Sequence, residues 1–171
     1  LASQADIPEM KALWDTCFGD DMAYIDHFFA SVFVPEQAIV LHQEGSVCAM
    51  TLYFPLRLKS GEGEEKQAAY LYAVATDPKF RNQGLSTGLL EFTAGYLSAK
   101  GFQALVLVPG NEDLFRFYQK RGYVPFFYHQ VISLAPGATV AGKMARASGE
   151  EYGSVRESLL QHRSHLTYPI S

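Results

Sequence analysis

The residues best placed to do chemistry run Val74-Ala75-Thr76-Asp77-Pro78-Lys79-Phe80-Arg81-Asn82-Gln83-Gly84-Leu85-Ser86-Thr87-Gly88-Leu89-Leu90. An apolar run ends in Asp77-Pro78, a short basic loop follows, and Gly84 stands before a helical pattern. The first amide protons of a helix have no partners inside it. The aligned peptide dipoles place about half a positive charge at that end, so it accepts an anion. Gly84 has no Cβ to hold a ligand off the backbone. Ser86 and Thr87 add hydroxyl donors, and Lys79 and Arg81 add positive charge. The implied chemistry is the binding of a phosphate or, over a loop of this width, a pyrophosphate. The segment holds neither the Gly-Lys-Ser/Thr triplet of a Walker loop nor GxGxxG. The same pattern also suits a helix that merely begins after a turn.

Other reactive side chains are scattered. His27, His42 and His129 stand singly and read as solvated or satisfied histidines. His162 and His165 have too few ligand-type neighbours for a zinc site, so no metal is expected. Cys17 and Cys48 lie among apolar residues and form no CxxC pair. A disulfide framework is not expected, and a reducing cytoplasm is the default location. Glu62, Glu64 and Glu65 read as a solvated hairpin tip.

The elements that must position the loop follow from periodicity. Apolar residues at 7, 10, 13, 14 and 17 predict one helix, and those at 22, 25, 28, 29 and 32 a second. Residues 38–44, 46–58 and 67–76 read as a three-strand meander, with Pro55 marking an edge or bulge. Residues 84–100 predict a long helix with Leu85, Leu89, Leu90, Phe92, Thr93, Tyr96 and Leu97 inward. A buried strand at 103–108, a helix at 112–121 and an aromatic strand at 123–134 follow. The order implies one mixed α/β layer fold with a crossover at 76–108. After 134 the texture changes to Ala and Gly, then a helix at 150–161. Residues 1–134 are therefore expected to form one domain that carries the glycine loop. Residues 135–171 read as a linker and helix, the start of a further domain beyond this chain. Consistent with that, the chain opens Leu1-Ala2-Ser3 without Met and reads as a piece of a longer protein.

Composition narrows the class. Of 171 residues, 48% are hydrophobic and 19% charged, which excludes wholesale disorder. The net charge of −4 argues against a general nucleic-acid binder and leans weakly towards cationic partners. No apolar run approaches the ~20 residues of a membrane span.

Two segments carry a resemblance. Arg81-Asn82-Gln83-Gly84-Leu85-Ser86 resembles the R/Q-x-x-G-x-G/A signature of the GNAT superfamily of acyl-CoA N-acyltransferases. Asn111-Glu112-Asp113-Leu114-Phe115-Arg116-Phe117-Tyr118-Gln119-Lys120-Arg121-Gly122-Tyr123 is similar to its second signature, an Asn followed by F-Y-x-x-x-G-F/Y. The resemblance covers roughly residues 5 to 134; Ser86 departs from the usual Gly or Ala. The resemblance implies a mixed, mostly antiparallel twisted sheet flanked by helices on both faces. It implies acetyl-CoA as co-substrate and no metal.

By the same resemblance, the amides of Gln83, Gly84, Leu85, Ser86 and Thr87, with Asn82 and the Arg81 side chain, hold the CoA pyrophosphate. Val74, Ala75 and Thr76 pair with the pantetheine arm like an added strand. A bulge opens the slot between this strand and 103–108. Asn111 and Phe115 meet the arm, and Tyr118 lies near the sulfur, where it is implied as general acid. The implied reaction is direct acetyl transfer to a primary amine, on a small molecule or a peptide, with no nucleic-acid or membrane partner and room for an oligomer. The family's usual strand carboxylate is missing from Ala69-Tyr70-Leu71-Tyr72-Ala73, where Tyr70 and Tyr72 are candidates to line the acceptor site. That gap keeps open a non-catalytic acyl-CoA-binding or sensing module. The phrase Val-Ala-Thr-Asp-Pro, the aromatic helix before residue 33 and the tail at 150–169 also resemble the longer enhanced-intracellular-survival type.

Overall fold

A computed structural model describes residues 1–127, 146 and 148–167. Helix α1 (Ile7–Phe18) begins with a proline in its first turn, where no intrahelical donor is lost. It ends at Gly19, whose left-handed φ of 67° closes the turn. Helix α2 (Met22–Ser31) is capped by Asp21, which accepts from the Ala23 amide at 2.9 Å.

Strands β1 (Ala38–Gln43), β2 (Ser46–Lys59) and β3 (Glu65–Thr76) form the expected antiparallel meander. Helix α3 (Leu85–Ala99) then crosses to β4 (Ala104–Val106), which runs parallel to β3. The sheet order is β1-β2-β3-β4. Strand β5 (His165–Thr167) pairs with Arg57–Lys59 of β2. Pro55 falls in the part of β2 that pairs with β3 alone among the described residues, so its missing amide proton costs no ladder bond on the outer side.

Alternation along the strands sends neighbours to opposite faces. Ala38, Met50 and Leu52 pack under Met10, Leu13 and Trp14 of α1 and Ile25, Phe28 and Phe29 of α2. Ile39 and Ala49 turn to the other face and pack on Leu89 of α3. The fold is thus a mostly antiparallel open sheet with helices on both faces, as the resemblance implied.

The chain divides into two compact units, residues 1–108 with 164–171, and residues 109–163. The second contains α4 (Glu112–Gln119) and α5 (Gly149–Leu160). Some expectations fail. The strand expected at 123–134 is absent over 123–127, where Val124 and Phe126 are exposed; the rest lies outside the described residues. Aromatic content favours a strand only where a partner covers it. Phe92 lies on the flank of the α3 stripe and is exposed rather than buried, stacking on Tyr96. The three-residue β5 was not foreseen, because so short a run carries no period.

Candidate functional site

The first feature is a β-bulge. Leu52 pairs with Tyr72 and Met50 with Ala75, so Thr51 alone faces both Ala73 and Val74. Ala73 takes up the extra residue in the left-handed region, at φ 49°. Holding a non-glycine there costs of order 1 kcal/mol, which the surroundings must supply. The buried Thr51 hydroxyl helps by donating to the Tyr72 carbonyl at 3.4 Å. The bulge coincides with a parting of strands. β3 pairs with β4 only from Ala68 to Tyr70, so beyond Tyr70 its outer edge has no strand partner among the described residues.

The second feature lies directly downstream. The Asp77 amide continues the ladder by donating to the Cys48 carbonyl at 2.9 Å, and Asp77 Oδ1 accepts from the Lys79 amide at 2.8 Å. A single turn over Pro78–Phe80 leads to Asn82 (φ 62°) and Gly84 (φ 80°). Gly84 is the N-cap of α3, and no side chain among the described residues caps that helix. The first helical bond is Gly88 N–H to the Gly84 carbonyl at 3.0 Å. A Cβ built on Gly84 meets no atom within 4 Å, so the space over the helix end is open. The residues fit an anionic group: bare backbone, no competing cap, and a dipole of the right sign.

Two side chains tie the loop to the strand. The Ser86 hydroxyl lies 2.7 Å from the Thr76 hydroxyl, so the departure from Gly or Ala has a partner and does not block the helix end. Arg81 Nε donates to the Thr76 carbonyl at 3.1 Å, and Nη2 lies 3.7 Å from Cys17 Sγ. That contact fixes the guanidinium stem beside the loop. It also occupies the Thr76 carbonyl, which accepts from Cys17 Sγ as well at 3.5 Å. Lys79 is exposed at the turn.

On the α1–α2 face, the Tyr70 and Tyr72 rings lie 6.1 Å apart, tilted 35° to one another. Tyr72 packs on Trp14 at 5.5 Å, Phe28 at 5.9 Å and Phe54 at 5.8 Å. Its hydroxyl is 3.2 Å from that of Tyr24. Burial, the Tyr24 hydroxyl and the Asp20 charge all hold the Tyr72 phenol protonated well above its ordinary range. Both tyrosines therefore line an aromatic wall beside the bulge.

In the second unit, Asn111 Oδ1 caps α4 by accepting from the Leu114 amide at 2.9 Å, and Phe115 is half-buried. Tyr118 is 7% exposed, with its ring against Phe117 and Tyr123 at 5.3 and 5.5 Å. Burial pushes its pKa up, and Arg121 offsets part of that. Its hydroxyl has no hydrogen-bond partner among the described residues. No polar side-chain atom among them is both sealed and unpartnered, so this hydroxyl opens to the surface.

The remaining candidates do no visible chemistry. His42 Nε2 is paired with Asp6 at 2.7 Å, and His27 contacts Ser31 at 3.5 Å. His129 lies outside the described residues. Cys48 is buried and Cys17 half-buried, both as free thiols. Among the described residues, no group of three metal-ligand side chains is placed to hold an ion. No helix among them is long and apolar enough to cross a membrane.

A bulged strand that parts from its parallel neighbour and runs into a glycine-led helix offers an edge for an extended ligand arm and a helix end for its anion. A family model described as an acetyltransferase (GNAT) domain matches residues 1–126, and the chain belongs to this family. Its members are acetyltransferases whose acyl donor is acetyl-CoA. Solved structures agree on the fold. A GCN5-related N-acetyltransferase from Anabaena variabilis matches with TM-score 0.61 and 22% identity, over 68% of this chain and 29% of that one. YhbS from Escherichia coli, a GNAT family N-acetyltransferase in complex with CoA, matches at 0.55 and 23%, over 70% and 64%. A ribosomal-protein-alanine N-acetyltransferase from Brucella melitensis matches at 0.58 and 17%, over 76% and 94%. This chain thus spans under a third of the Anabaena protein. No curated protein matches the sequence significantly.

Sequence reasoning missed the grouping of Trp14, Asp20 and Tyr24 with Tyr72. Tyr24 sits off the apolar stripe of α2, and only the helix packing turns it towards β3.

Proposed function

We propose that this domain moves an acetyl group from acetyl-CoA to a primary amine by direct attack. The observation that carries the reading is the continuity of the Ala73 bulge, the open β3 edge and the uncapped end of α3. In it, the amides of residues 83–87 and the Arg81 guanidinium hold the diphosphate, and Val74 to Thr76 lie along the pantetheine arm. The Asn111 side-chain amide and the Phe115 ring add to that contact. The thioester supplies an activated carbonyl. The charge that develops on its oxygen needs a donor, for which a backbone N–H at the bulge is suited. Alignment of the two reactants in one slot accounts for much of the rate.

Tyr118 gives its proton to the departing sulfur. Two properties support this role: its hydroxyl has no partner among the described residues, and its raised pKa keeps it protonated at neutral pH. A thiol titrates near ~8.5, below the phenol, so transfer to the thiolate is uphill by at least about 2 kcal/mol; it is drawn forward because the newly acetylated nitrogen sheds its proton, which restores the phenol. Tyr70 and Tyr72 line the acceptor side. The acceptor is a small molecule or a peptide amine. A cytoplasmic location suits the two free thiols. Kinship with the longer enhanced-intracellular-survival type rests on the Val-Ala-Thr-Asp-Pro phrase and the aromatic helix before residue 33.

A second reading, a non-catalytic acyl-CoA sensor, is favoured by the lack of an acid in residues 69–73. Tyr118→Phe separates the two. Loss of the general acid lowers kcat by about a hundredfold while CoA binding stays unchanged. Equal turnover in the two proteins contradicts the role of Tyr118, and background thioester loss in both favours the sensor.

A further inference from the structure

On the reading that this chain acetylates an amine, we infer that Phe18, Asp20 and Tyr24 form a subsite for a second positive charge, and that the acceptor is a di- or polycationic aliphatic amine. The three residues meet around one side chain. Trp14 is buried at 1% exposure, and its Nε1–H donates to Asp20 Oδ2 at 2.8 Å. The carboxylate is therefore fixed at the edge of a buried ring. Its second oxygen accepts nothing among the described residues. Neighbouring Asp21 is committed to capping α2, and Lys11 to Asp26 at 2.7 Å, so neither competes for that role or neutralises Asp20.

Phe18 and Tyr24 stand edge-on to the same Trp14, with centroids at 6.0 and 6.4 Å. Each is 47% exposed. A fixed carboxylate beside two half-exposed aromatic rings is the chemistry that recognises an ammonium group, through charge and ring quadrupole together.

The subsite is joined to the reaction slot. The Tyr24 hydroxyl lies 3.2 Å from that of Tyr72, which directly precedes the bulge residue Ala73. The amine that attacks the thioester must be neutral, so its own charge cannot serve binding at that moment. A second ammonium on the same molecule keeps its charge and binds Asp20. The subsite thereby prefers a diamine over a monoamine of equal length. The net charge of −4 draws such cations in from solution.

The test is calorimetric titration of putrescine and of butylamine, into the protein saturated with CoA and into the free protein. The wild type binds putrescine about fivefold or more tightly than butylamine. Asp20→Asn keeps an oxygen for Trp14 but removes the charge. It abolishes that preference while CoA affinity holds. Tyr24→Leu, a change at a half-exposed residue, weakens putrescine and spares butylamine. Equal binding of the two amines by the wild type, or a preference that survives in Asp20→Asn, overturns the inference. Failure to bind CoA with the diamine preference intact overturns the donor reading instead and leaves the cation subsite standing.

Discussion

Gly84→Ala tests the diphosphate cradle with a built-in control. Gly84 has φ 80° and Gly63, at the β2–β3 hairpin tip, has φ 89°. A Cβ on either meets nothing within 4 Å, so neither substitution clashes with the protein. Both then cost only the strain of a left-handed alanine, about 1 kcal/mol. For a chain of this size that lowers Tm by about 2–4 °C. The two variants should melt alike. They should differ in ligand affinity, because only the Gly84 methyl stands where a phosphate meets the amides of α3. The expected loss of CoA affinity is tenfold or more, about 1.4 kcal/mol or above, in Gly84→Ala and none in Gly63→Ala. Thermal unfolding by circular dichroism and calorimetric titration with CoA read both quantities. Unchanged affinity in Gly84→Ala, or an equal loss in Gly63→Ala, refutes the reasoning.

Other expectations concern stability and the loop. Burial raises the Asp6 carboxyl pKa, but hydrogen bonds from the Ser3 amide and hydroxyl, and the paired His42, outweigh it and leave a net depression below 3.8. A depressed carboxyl stabilises the fold above the unfolded value and loses that contribution as pH falls through the folded one. Acid unfolding curves below about pH 4 should therefore steepen in the wild type relative to Asp6→Asn. Ser86→Ala strands the Thr76 hydroxyl and costs about 1 kcal/mol in denaturant unfolding. CoA affinity should survive it, since the backbone amides do the binding.

Much of the fold was legible because its signals are local. The 3- and 4-residue spacing of Met10, Leu13 and Trp14 marks α1, and Gly84 marks the start of α3. The loop chemistry was legible for the same reason: dipole, glycine and hydroxyls lie within a few residues. The bulge was not. Tyr72-Ala73-Val74 reads as plain strand, and a positive φ at an alanine is imposed by the sheet, not announced by the residue. It entered only through the family resemblance. The Trp14–Asp20 bond and the Tyr24–Tyr72 pair span six and 48 residues, so only tertiary packing creates them. Phe92 shows the converse: an apolar residue near a stripe lies outside it when the helix turns 100° per residue.

The most direct test is a crystal structure of the protein with CoA. The diphosphate should lie about 2.7–3.2 Å from the amide nitrogens of residues 83–87, with the pantetheine arm along the open edge of β3. A diphosphate bound elsewhere, with the end of α3 left to solvent, would contradict the account.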